Sequence, residues 1–140
     1  MIALKSQSSF EFIVYFILLL AISLVVFAIN VQYQIVIRER KFQMNAQRIL
    51  ESLENEISIA IKMGDGYEKT FVFLPSTENL ESYRISSLGG GIIKVEWDGN
   101  YLYGRMPTRN LTDGTSDKFS IFFGENKISN QKGNIIIQKV

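Results

Sequence analysis

The sequence predicts an α+β protein: one long N-terminal helix, apolar then amphipathic, packed on a small antiparallel β-sheet headpiece. Three observations predict it. No Gly or Pro occurs between Met1 and Met63, so nothing interrupts a single helix. Phe12 to Ile29 are eighteen positions without a charge, fourteen of them Phe, Ile, Leu or Val. After Gly66 the helical spacing gives way to short aromatic and β-branched runs punctuated by turn residues.

The apolar run comes first. About 20 such residues at ~1.5 Å rise cross a hydrocarbon core. At roughly −0.3 to −0.6 kcal/mol each, fourteen strongly apolar residues favour insertion by about 4 to 8 kcal/mol. One acid, Glu11, stands at the front edge of the run. Even at mid-bilayer an acid costs only about 2.5–3.5 kcal/mol, and near an end less. Insertion wins, with Glu11 carried along. A first-turn or snorkelling acid is one reading of that residue. The run is longer than the 7–15 residues of a cleaved signal's apolar region, and no polar segment follows before Val31. The span is therefore read as retained.

The company of Glu11 suggests a more specific role. Gln7, Ser9 and Glu11 form Q-x-S-x-E between a short leader, M-I-A-L-K-S, and the apolar run. This resembles the class III signal peptide of archaeal type IV pilin-like proteins. The resemblance implies cleavage between Ser6 and Gln7 by a prepilin peptidase on the cytoplasmic side. It implies that Glu11 pairs with a freed N-terminal amine, and that the apolar helix later forms a fibre core. Subunit contacts would then run through Glu11, Phe12, Phe16, Leu20 and Val26. Implied partners are the membrane, further copies in a homo-oligomeric filament, minor pilins and, indirectly, an assembly ATPase and platform protein. Ser6, where the family has Gly, is a departure from the pattern. The charges flanking the span, Lys5 against Arg38, Arg40 and Lys41, do not orient it by the positive-inside rule. A cytoplasmic N-terminus follows from the resemblance instead.

The expected division is a leader at 1–6, a membrane or fibre-core segment at 7–37, an amphipathic segment at 38–63 and an extracellular headpiece at 64–140. Val31, Ile35, Phe42, Ala46, Ile49, Leu53, Ile57 and Ala60 recur mostly at steps of three or four, the stripe of an amphipathic helix. Arg40, Gln43, Gln47, Glu51, Glu54, Asn55 and Lys62 fall on the opposite face. Gly64 supplies the C-terminal stop. About six strands are expected beyond it. Tyr67–Leu74 closes at Pro75, and a polar connection, 76–82, leads to Tyr83–Leu88 and the Gly89–Gly91 turn. Ile93, Val95 and Trp97 alternate with Lys94 and Glu96, and Asp98–Gly99 turns into Asn100–Gly104. Phe119–Phe123 and Asn134–Gln138 complete the set. The weaker likeness of G-D-G-Y, Leu74-Pro75 and Gly133–Ile137 to small archaeal pilin-like proteins covers this part.

Chemistry is sparse. The chain has no Cys and no His, which removes the thiolate nucleophile, the commonest general base and the commonest metal ligand. No catalytic residue, cofactor or metal site is expected. Asp113, Asp117 and Glu125 lack the spacing of a calcium loop and read as solvated acids. The triplet Gly89–Gly91 has no GK[ST] after it and is not a phosphate loop. Net charge is +1 and the headpiece carries nine basic and nine acidic residues, so no nucleic-acid footprint exists. The headpiece's ten aromatics read mainly as core. Pro107–Lys118 is the longest polar loop and holds the only N-x-[ST] sequon, which makes Asn110 a candidate N-glycosylation acceptor. The expected function is a prepilin, the structural subunit of an archaeal type IV pilus-like filament, with adhesion as its role. The alternative is a permanently anchored extracellular binding module that never polymerises.

Overall fold

A computed structural model describes residues 3–73 and 83–140, with side chains from Phe10 onward. Leu74, Pro75 and the connection at 76–82 lie outside the described residues. The helix α1 runs without a break over Ala3–Met63. It spans two compact units, Met1–Arg40 and Lys41–Val140. The first unit is helix alone. The second holds the amphipathic end of α1 and all strands, an α+β layout consistent with the type IV pilin-like fold.

Eight strands follow the helix among the described residues: β1 Glu68–Phe73, β2 Tyr83–Gly89, β3 Ile92–Trp97, β4 Asn100–Arg105, β5 Leu111–Thr112, β6 Ser120–Ile121, β7 Gly124–Gln131 and β8 Asn134–Lys139. They form two four-stranded sheets, β1-β7-β8-β5 and β4-β3-β2-β6, where a single sheet was expected. Every pairing is antiparallel except β5 with β8. Two of the strands break the sequence pattern. β7 reads G-E-N-K-I-S-N-Q, with one apolar residue in eight, yet it lies inside its sheet between β1 and β8. β5 lies within the polar loop 107–118. In the other direction, the run Phe119–Phe123 pairs over Ser120 and Ile121 only.

The hairpins follow turn chemistry. Asp98 and Gly99 have φ of 44° and 81°, the two left-handed residues of a type I′ turn, as Asp-Gly predicts. The triplet after β2 does more than turn the chain. Gly91 has φ of 76°, and a Cβ there would strike the Thr108 carbonyl, so both conformation and space demand glycine. Gly104 is a matter of space alone: a Cβ would lie 2.7 Å from Leu50 Cδ2 on the helix.

Both sheets and α1 share one core. From the helix come Ala46, Ile49, Leu50, Leu53, Ile57 and Ala60. One sheet adds Phe71, Ile128 and Ile135 among others, and the second adds Ile85, Ile93 and Val95. Phe42 packs at the margin. Its ring lies 5.9 Å from that of Tyr83, whose hydroxyl donates to the Phe42 carbonyl at 3.2 Å. Burial raises the Tyr83 pKa, against a hydrogen bond with Asn45 that lowers it. The expected outer face, Arg40 through Lys62, is exposed throughout. Val31 and Ile35 are exposed as well, so the buried stripe begins only at Phe42. Burying the four largest helix side chains is worth about 1.5–3 kcal/mol each, together comparable with the 5–15 kcal/mol stability of a whole domain.

Polar contacts fix the helix in register. Lys69 on β1 reaches Glu56 at 2.9 Å, and this hydrogen-bonded acid raises the Lys69 pKa. Asn130, 5% exposed, donates its amide to the Ala60 carbonyl at 3.0 Å and accepts from the Gly133 amide at 3.1 Å. Ala60 belongs to the last helical turn, whose carbonyls lack intrahelical partners. Asn130 is therefore the helix's C-terminal cap from a distant strand. Its backbone also bonds both ways across the connection, to Gly66 N and Tyr67 O. Replacing Asn130 by Ala leaves the buried Ala60 carbonyl unsatisfied, at about 1–3 kcal/mol, while the exposed Gly133 amide can turn to water. Chemical denaturation of Asn130→Ala should show a loss of that order, while Gln43→Ala on the exposed face should leave stability unchanged.

Candidate functional site: the apolar helix, Glu11 and the sequon loop

From Phe10 to Ile37 the helix presents large apolar side chains on every side. Phe12 is 70% exposed, Phe16 58%, Leu20 48% and Val26 52%. These four share one face, and exposed Ile17, Leu18, Leu24 and Val25 cover the rest of the circumference, so the surface is apolar all round. Phe12 and Phe16, one turn apart, stack with centroids 6.5 Å apart. Ser23 and Asn30 interrupt the apolar surface, and each bonds back to its own helix. Ser23 Oγ donates to the Leu19 carbonyl and Asn30 Nδ2 to the Val26 carbonyl, both at 2.9 Å. Such internal bonds lower the cost of a polar side chain in hydrocarbon. This is the one helix among the described residues long and apolar enough to cross a membrane, and its most apolar 18-residue window is wholly unburied.

Exposed apolar side chains continue past the run Phe12–Ile29, through Val31, Tyr33, Ile35, Val36 and Ile37, now alternating with Asn30, Gln32 and Gln34. At ~1.5 Å per residue, Phe10 to Ile37 measures about 40 Å, longer than a ~30 Å hydrocarbon core. The first unit thus contains a surplus of apolar surface beyond what spanning requires.

Glu11 is exposed at the start of this surface. Ser6, Gln7 and Ser9 are helical in backbone, and their side chains lie outside the described residues. The helix α1 begins at Ala3, so the bond between Ser6 and Gln7 lies within helix.

The sequon loop is built around Asp113. Asp113 Oδ1 accepts from the Thr115 and Ser116 amides and from the Thr115 hydroxyl, each at 2.8 Å. Asn110 is exposed, Leu111 is buried in the core, and Thr112 Oγ1 donates to the Ser116 carbonyl at 2.7 Å. The sequon is thus an edge strand with an accessible amide and a tied hydroxyl. Its strand character was hidden in the sequence, because only Leu111 faces the core. No group of three or more Asp or Glu side chains converges as a metal site among the described residues. Of the ten headpiece aromatics, seven are buried or packed against the core, in line with the expectation for most of them, and Tyr101, Tyr103 and Phe122 stand exposed.

The Ser116 and Thr115 hydrogen bonds hold the Asp113 carboxyl below the ordinary value of 3.8. A depressed folded-state pKa contributes stability that is complete above the unfolded value and lost as pH falls through the folded one. Acid titration followed by NMR should therefore move the Thr115 and Ser116 amide resonances together, with a midpoint below 3.8. A midpoint at or above that value would contradict the hydrogen-bond geometry.

Compared with known proteins, the chain matches no protein-family model, no curated protein and no solved structure.

Proposed function

We propose that the chain is the prepilin of an archaeal type IV pilus-like surface filament, a structural subunit without catalytic activity. One observation carries this reading: a single unbroken helix is exposed and apolar around its circumference from Phe12 to Ile29, then continues into a headpiece that buries only its later half. Such a surface suits two environments in turn, lipid before assembly and neighbouring copies of the same helix after it. The surplus apolar length beyond one bilayer, Val31 to Ile37, is better covered by other helices than by water.

In this reading a prepilin peptidase cuts between Ser6 and Gln7, the headpiece is extracellular, and Asn110 is its glycan acceptor. Glu11 then meets a free amine about one turn away, in or near a low-dielectric fibre core. There an unpaired charge is costly, and each requires the other's subunit as partner. The assembly ATPase, platform protein and any minor pilins act through the same helix.

The test is direct. The mature chain in sheared filaments should begin at Gln7 by mass spectrometry. Glu11→Gln should reach the membrane at wild-type level, since removing a charge eases insertion, yet yield far fewer filaments. Wild-type filament yield from the variant would reduce Glu11 to a head-group residue. Absence of the chain from filaments would favour the anchored binding module.

A further inference from the structure

The two sheets leave an opening at one end of the headpiece. There β6 and the residues after it face the end of the β7–β8 pair across a cleft of about 350 Å³. The volume is at the low end of the roughly 300–1,000 Å³ typical of small-molecule sites, enough for one ring and its substituents. The cleft is lined unlike the rest of the core. Along the paired strands β7 and β8, Ile128 lies opposite Ile137, and Asn126 opposite Lys139 in the next inward-facing row. An amide and an ammonium thus occupy positions where alternation would place two more apolar side chains.

Each lining group retains capacity for a ligand. Asn126 is 1% exposed and spends its Nδ2 on the Phe122 and Gly124 carbonyls at 2.8 and 3.0 Å. Its Oδ1 accepts no hydrogen bond among the described residues. A nearly fully buried carbonyl oxygen of this kind calls for a donor. Lys139 Nζ lies 5.3 Å from the Phe122 ring centroid, and no acidic side chain pairs with it among the described residues. Phe122 is 54% exposed, an aromatic surface at the mouth. Ser120 adds a hydroxyl. Gln138 spends its amide on the Asp113 carbonyl, which leaves Oε1 as a further acceptor. Asp113 directs one carboxylate oxygen into three hydrogen bonds of its own loop.

An apolar ring face, acceptors for hydroxyl donors with the remaining Asp113 carboxylate oxygen among them, and one cation without an acidic partner form a set with a definite complement. That complement is a hydroxylated ring bearing one negative charge. We propose that this cleft binds a carboxylated sugar residue, its carboxylate on Lys139, its ring against Phe122 and a hydroxyl donated to Asn126 Oδ1. The site belongs to the headpiece alone and does not depend on polymerisation. It gives the surface protein a recognition function whether it is a filament subunit or an anchored module.

The experiment uses the full chain in a zwitterionic detergent, whose head groups carry no sugar. Saturation-transfer NMR and titration with D-glucuronate, alongside neutral D-glucose, read out binding. Glucuronate should receive transfer and bind at least tenfold more tightly than glucose. Lys139→Gln should weaken glucuronate at least tenfold, and Phe122→Ala should reduce transfer to the ring protons. Lys118→Gln, outside the cleft, should change neither. Unfolding midpoints of the variants, matched to wild type, separate lost binding from lost fold. Absence of transfer to both sugars would overturn the proposal. So would equal affinity for the two, or a Lys139→Gln protein that binds as wild type does.

Discussion

Everything in the headpiece depends on one strip of helix being removed from water. Leu53, Ile57 and Ala60 have no exposure because strands of both sheets close over them. The same core takes in Ile93 and Val95 from one sheet and Ile128 and Ile135 from the other. The strip also explains features that look unrelated in the sequence. Gly104 lacks a side chain because Leu50 occupies that space. Lys69 stands on the inward face of β1 with Phe71 and Phe73, tolerated there because Glu56 on the helix meets it. Asn130 is buried because the helix needs a partner for its last turn.

The same chain segment obeys two solvents. Up to Ile37 the constraint is a surface suited to hydrocarbon, and Ser23 and Asn30 each donate back one turn to a helix carbonyl. From Phe42 onward the constraint is ordinary amphipathicity, with charged groups on one side and core on the other. No Gly or Pro falls in the helix, and helix-forming residues, Arg38, Glu39, Arg40 and Lys41, run through the change of regime.

The headpiece uses buried polar groups where a simpler β domain would use apolar ones. Asn126, Ser129 and Asn130 are all buried on the single strand β7. Asn126 ties down the Phe122–Gly124 bend, and Asn130 ties the helix to the β7–β8 turn. A hydrogen-bonded amide is directional in a way that a leucine is not. It fixes which carbonyl it meets, at the cost of a large penalty if that carbonyl moves.

How much of this was legible in sequence divides along a physical line. Periodicity and composition depend only on local neighbours, and they determined the unbroken helix, its apolar and amphipathic halves, the Asp98–Gly99 turn and the alternation in β3. Glu11 and its Q-x-S-x-E setting were visible for the same reason, being a matter of adjacent residues. Strand β7 was invisible because its place in the sheet comes from neighbours β1 and β8, and its burial is bought with hydrogen bonds rather than apolar side chains. β5 escaped notice because two residues show no period, and its partner lies more than twenty residues away. The split into two sheets, the Asn130 cap and the Asn126–Lys139 cleft all join residues remote in sequence. Only tertiary packing decided them, because no local pattern records which distant carbonyl a buried amide will find.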